Sequence, residues 1–516
     1  MASHTQCHCG DQFVDHQKEF IRKAVCKDLP AIYLHGGQMY CVLHYPVMDK
    51  EAAFEKVFRA RITTHEYCFY GTWFPGSINL SNHSFGDWAD FAWTTFDGNV
   101  TFESSRFRGN AQFLCSTFTK KVSFSGAVFS ADKRHGLPTN FYSAAFEDEA
   151  DFSSVRFESK VEFSRARFCW RLDPSKRFAP TSSFAFAHFA EEAIFENVSF
   201  GDKTSLEYPA SITFQKSTFE KLANFRESEF FLHGHFGQVT FKKTVDFRDT
   251  YVPASIGFYE ASFESFARFS GRNKKRDSWA KKGLNFNSVY IEAPEKISFQ
   301  SLALDPESFI NTDVRRFDFT DIDWRIKNFA FDWSRSKHVL FWKERAKEAR
   351  SNYELVEVAY RRVAANAEDS NQYRYASKLR YAAFEIQRLN RWYGRLPFTL
   401  LWWYKWTSRY GESWSFSTVM LALILAASAY GYTKLPFYVC PSDKPVNQTS
   451  TAGLCTIRTL ETYEATRQSV ATATFQTVDY RKPVTGNGEM LVLGEKILAP
   501  IQAALLALAI RRKVMR

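Results

Sequence analysis

The stretch FGDWADFAWTTFDGNVTFESSRFRGNAQFLCSTFTKKVSFSGAVF, residues 85–129, sets Phe85, Phe91, Phe96, Phe102, Phe107, Phe113, Phe118, Phe124 and Phe129 at alternating steps of six and five. Neither a helix of period 3.6 nor a strand of period 2 keeps one side at those steps over such a length. A solenoid does. With each step one flat face of a coil and every Phe turned to the axis, four faces close a turn in about 22 residues, and coils stack at roughly 4.8 Å. Two residues before the aromatic stand Ala89, Val100, Ser105, Ala111, Ser116, Val122 and Ala127, small or short as a second inward position in a narrow tube demands.

This pattern resembles the pentapeptide-repeat family, and the resemblance implies a right-handed quadrilateral β-helix with Leu or Phe at the centre of each face. The extra residue in every second step departs from a plain five-residue repeat, and a bulge on alternate faces would absorb it. A β-sandwich with Phe-rich strands is the competing fold. The spacing begins near Phe69, with Phe74, Leu80 and Phe85 in step, and is interrupted at 131–139, 170–181 and 201–212, where Pro, Gly and charge mark corner loops. It resumes from Phe141, Phe184 and Phe214, with Val252 replacing Phe once, and ends in plain steps of five at Phe299, Leu304, Phe309, Val314, Phe319 and Trp324. About ten coils, on the order of 45 to 50 Å, are expected. An open coil end is an unpaired edge, and the flanking segments are placed to cover it.

A chain of 516 residues is too long for one ordinary core. The divisions read from it are 1–66, a Cys/His module; 67–330, the β-helix; 331–395, a helical hairpin; 396–414, an interfacial helix; and 415–516, a two-span transmembrane domain. The fold class is therefore mainly β, followed by an all-α membrane part. The net charge of +11 gathers between Phe341 and Arg409, just ahead of an apolar span. That placement is a membrane-orientation signal rather than a nucleic-acid footprint, so no nucleic-acid partner is expected. The first residues lack the succession of a signal peptide, and the amino-terminal part is expected to stay where it is made.

Cys7, Cys9, Cys26, His35, Cys41 and His44 crowd the first module. Cys41 and His44 stand three apart, a spacing that lets both reach one tetrahedral Zn²⁺. The module resembles the small Cys/His unit found before pentapeptide repeats, which implies a structural zinc on Cys7, Cys26, Cys41 and His44. Cys9 and His35 are rivals for the first two places, and free thiols in a reducing compartment are the competing reading. A closed four-ligand site leaves no position for a reactive water. No nucleophile elbow, phosphate loop or paired-carboxylate site accompanies it, so the chain is not read as an enzyme.

Two helices free of Pro and Gly follow, 341–367 and 371–393. Leu355, Val358, Ala359 and Val363 form a stripe on the first, and Tyr375, Leu379, Ala382, Ala383, Ile386 and Leu389 form one on the second. The basic second helix also suits a calmodulin-like or lipid-surface role. Trp402, Trp403, Tyr404, Trp406, Tyr410 and Trp414 beside Arg395, Lys405 and Arg409 have the composition of a helix at the headgroup boundary. The run 415–432 carries no charge and, extended to Leu435, just crosses a bilayer. A second apolar stretch, 490–510, is broken only by Glu495 and Lys496. Basic flanks put both termini in the cytoplasm, making a multi-pass membrane protein whose segment from Pro436 lies outside. There Cys440 and Cys455 are free to pair.

Between the spans lies a short helix with hydroxyl residues, then Thr477, Val478, Asp479, Tyr480 and Arg481. The last hundred residues resemble the two-helix potassium-channel fold, whose filter reads T-V-G-Y-G. Here Asp479 and Arg481 replace both glycines, which argues against a standard potassium filter, because residues with a Cβ resist left-handed angles. Three functions follow as expectations. One is a cation-permeable or nonselective pore built by homo-oligomerisation, with Thr477, Asp479 and Glu495 as lining or ring residues, gated or targeted by the solenoid. The second is a non-conducting two-span anchor that displays the solenoid to an unknown protein partner. The third, a DNA-mimicking solenoid, needs an acidic face that this near-neutral region lacks.

Overall fold

The computed structural model describes residues 6–9, 13–27, 29–86, 88–130, 138–169, 181–207, 210–274, 278–279, 283–326, 349–390, 399–440, 456–476 and 481–514. The chain divides into two compact units, Met1–Arg325 and Ile326–Arg516.

In the first unit, short parallel strands build four sheets of ten, seven, nine and nine strands, a repeat β-solenoid. Coils pair in register, Phe118 beside Phe96 on one face and Phe129 beside Phe107 on another. Register stacks like on like, so each face acquires its own column of rings. Phe91, Phe113, Phe141, Phe163 and Phe195 stack with centroids 4.7 to 5.2 Å apart, their planes nearly parallel, and are fully buried. Rings of adjacent faces meet edge-on, as Phe102 does with Phe113. Both geometries are favoured by the ring quadrupole. The small second inward residues fit the remaining width, and several of their hydroxyls donate to backbone, Ser105 to the Leu80 carbonyl at 2.6 Å and Ser116 to that of Phe113 at 2.7 Å.

The sixth residue is not absorbed by a bulge in each alternate face. Within the described strands the recorded register shift lies only between Phe247 and Thr250. The extra residue sits at the corner instead, so the tube has two kinds of corner. Five-residue steps close with a β-turn in which the amide three residues on donates to the Phe carbonyl, as Ser105 does to Phe102 and Ala166 to Phe163. The third residue of each turn has positive φ, recurring every eleven residues at Ser104, Cys115 and Gly126 and again, after the first interruption, at Ser143, Ser154 and Arg165. That is the type II pattern. The residue just before the Phe steadies it: Asp90, Asn140, Asp151 and Asn224 each accept the amide two residues on, at 2.8 to 3.0 Å. Among the described residues, six-residue steps lack this turn.

The amino-terminal module comprises α1 (Asp15–Ile21), a wider helical turn at Arg22–Cys26, the hairpin Tyr33–His35 with Gln38–Tyr40, and α2 (Glu51–Thr63). It covers the first coil, as an open edge requires. Phe54 and Phe58 of α2 pack on Phe74 at 5.2 and 5.7 Å, and the Leu43 carbonyl accepts the Trp73 amide at 3.0 Å.

The second unit is helical: α3 (Ala349–Asp369), α4 (Tyr373–Asn390), α5 (Leu400–Ser408), α6 (Trp414–Lys434), α7 (Thr462–Ala473) and α8 (Gly486–Val514). In the α3–α4 pair, Ala359, Tyr360, Val363 and Ala367 are buried, as are Ala376, Leu379, Ala382, Ala383 and Ile386, whereas Val358 faces outward, one step off the expected stripe. Glu385 on α4 is buried and bridged by Arg388 and by Lys405 of α5, each at 3.0 Å. Strands Pro436–Val439, Thr456–Thr459 and Arg481–Pro483 form a small antiparallel sheet. Helices α6 and α8 are long and apolar enough to cross a membrane. Trp403 and Trp406 on α5 are exposed.

Candidate functional site

The four residues read as metal ligands come together. Cys7, Cys26, Cys41 and His44 are buried, and their ligand atoms lie within 4.8 Å of one another. They arrive on three local devices: Cys7 on the segment before α1, Cys26 at the end of the helical turn after α1, and Cys41 and His44 on a turn closed by the His44 amide on the Cys41 carbonyl at 3.1 Å. Cys41 Sγ stands 3.7 Å from Cys26 Sγ, and His44 Nδ1 is 3.2, 3.5 and 3.9 Å from the sulfurs of Cys41, Cys26 and Cys7. A tetrahedron with Zn–S near 2.3 Å and Zn–N near 2.0 to 2.1 Å has edges of about 3.5 to 3.8 Å. The donor set fits.

The surroundings fit too. His44 Nε2 meets the Tyr70 carbonyl at 3.3 Å, which assigns its proton to that nitrogen and leaves Nδ1 to coordinate. Cys7 Sγ accepts the Cys41 amide at 3.1 Å. The hydrogen bond shared with Cys26 holds the Cys41 thiol well below its ordinary range, and the same contact pushes Cys26 far up. A buried cluster of three thiols and an imidazole can thus hold a metal ion such as zinc. The rivals fall outside it: Cys9 is buried but bonds to the Cys7 carbonyl at 3.5 Å, and His35 lies on the hairpin against Tyr40 and Tyr45. Sequence spacing did not reveal Tyr70, because a backbone carbonyl carries no spacing signal.

Of the pore-like residues, Thr477, Val478, Asp479 and Tyr480 lie outside the described residues, as does Cys455; Cys440 is disulfide-bonded. Arg481 is buried. It lies in the small sheet, 3.2 Å from the Glu464 carboxylate at the start of α7, and Arg458 grips the same carboxylate at 2.6 Å. Glu495, expected as a lining or ring residue, is buried between helices of its own chain: Tyr432 of α6 donates to it at 2.5 Å and Ser469 of α7 donates to its other oxygen. Ser469 also reaches the Leu425 carbonyl at 3.1 Å. Leu425 is nine residues, about 13 Å, from the end of α6, so α7 packs alongside α6 well within its length. Farther along α8, just past Pro500, buried Gln502 donates to the carbonyls of Thr407 and Ser417 at 2.7 and 3.0 Å. Its polarity inside an apolar run was the signal that could have marked it.

No family model, no curated protein and no solved structure matches the chain.

Proposed function

We propose that the chain is a membrane-anchored, pentapeptide-repeat-like protein. Its right-handed β-helix is cytoplasmic and capped by a structural zinc module, and its carboxy-terminal unit assembles as a homo-oligomer into a cation-permeable or nonselective pore. The observation that supports this reading is α7, a short helix with hydroxyl residues lodged alongside α6 and tied to α8 through Ser469 and Glu495. A simple anchor needs two spans and nothing between them. A re-entrant polar helix is tolerated at membrane depth only where protein or water covers it. Exposed Val419, Leu423, Ile497 and Ile501 suit contact with lipid or with neighbouring subunits. In this reading Thr477 and Asp479 line the pore, while Glu495 acts as a strut that seats α7.

Single-channel recording of the purified chain in planar bilayers tests it. Discrete currents are expected, with ion preference altered in Asp479→Asn. An oligomer silent across voltage, pH and divalent-ion conditions makes the unit an anchor that displays the solenoid to a protein partner. A monomer rules out a shared-axis pore.

A further inference from the structure

Lys50, the last residue of the turn Met48–Lys50 that leads into α2, is 1% exposed. A buried ammonium ordinarily has a carboxylate beside it. Among the described residues none lies within ion-pair distance of Lys50. Its Nζ donates to the Leu43 carbonyl at 2.9 Å and sits over the rings of Phe54 and Trp73 at 5.0 and 5.3 Å. Leu43 separates two ligands' neighbours in sequence, lying between Cys41 and His44, and its carbonyl also takes the Trp73 amide. Burial lowers the pKa of Lys50 to about 7, and the charges of Cys41 and Cys7 pull the other way.

The missing counter-charge is supplied by the metal centre. Three thiolates, a neutral imidazole and a divalent ion sum to one negative charge, held in a site from which water is largely excluded. An isolated anion of that kind is as costly as an isolated ammonium, and each offsets the other. We infer that Lys50 is the counter-cation of the Cys7, Cys26, Cys41 and His44 centre, a positioning residue that raises its affinity for a divalent, thiolate-seeking cation through charge. The inference rests on the metal reading of those four residues. Lys50 also ties the ligand turn to the first coil, through the carbonyl it shares with Trp73.

The test measures Zn²⁺ affinity of the full chain in detergent by competition with a chromophoric chelator, for wild type, Lys50→Met and Lys50→Gln. Co²⁺ spectra of each report the ligand set. Wild type is expected to take one equivalent. Both variants are expected to bind tenfold or more weakly, with the shape of the Co²⁺ spectrum unchanged. Gln keeps a donor for Leu43 without the charge, so wild-type affinity in Lys50→Gln overturns the charge assignment. Wild-type affinity in both variants overturns any role for Lys50. A wild type that takes up no metal overturns the metal reading itself, and the inference with it.

Discussion

Asp90 shows how a single side chain serves the coil at a cost that depends on pH. Its carboxylate accepts the Ala92 amide at 2.9 Å and so steadies a type II corner, yet the residue is 5% exposed. Burial pushes its pKa up to about 6, against the opposing pull of that amide. An acid whose folded pKa lies above its unfolded value is held more tightly as the neutral form in the native state. Its contribution is therefore most favourable below about pH 4, declines as pH rises toward 6, and stays at its least favourable above that. Asp90→Asn keeps the acceptor, as Asn140 and Asn224 do at equivalent corners, and removes the ionisation. We expect it to stabilise the solenoid at pH 7 by up to about 3 kcal/mol, with the gain shrinking toward pH 4. Thermal unfolding followed by circular dichroism at pH 7 and 4.5 measures this; an Asn variant no more stable than wild type at pH 7 refutes the assignment.

At the scale of elements, stability belongs to columns rather than to strands, since strands of two or three residues hold little by themselves. Phe113 is fully buried between Phe91 and Phe141, and Phe225 between Phe195 and Phe247. Replacing either by Ala is expected to cost about 3 to 5 kcal/mol, because the neighbours above and below both lose a partner. Melting indistinguishable from wild type in both variants contradicts the inward columns. These columns were legible in the sequence because an inward position in a narrow tube admits few residue types. The corners were not, since Trp93, Arg165 and Phe186 occupy left-handed turn positions that a reader assigns to glycine. The same contrast holds at the sites. Cys41 and His44 announce themselves by type and spacing, whereas Lys50 reads as one more solvated lysine until the fold buries it. The two long apolar helices were legible from composition, but the side to which Glu495 turns depends on α7, which no periodicity within α8 reveals.

For the whole molecule, the two kinds of corner have a consequence for where the chain can change. The long interruptions of the repeat after Phe129, Phe168 and Phe200 all fall on steps that would otherwise hold six residues. Between Phe69 and Phe263 the steps of five, with their closed turns, carry no insertion at all. A six-residue Gly/Ser insert between Lys120 and Lys121 should therefore leave the melting midpoint nearly unchanged, since lengthening a loop adds little entropy. The same insert between Ser153 and Ser154 breaks a hydrogen-bonded turn and should lower it by several degrees; equal tolerance at both places refutes the distinction. Of the four long edges of the tube, two are sealed and two are open to growth. New surface can be added along the open pair at intervals of one coil, like shelves hung on alternate posts of a frame, while the aromatic columns that carry the load stay as they were.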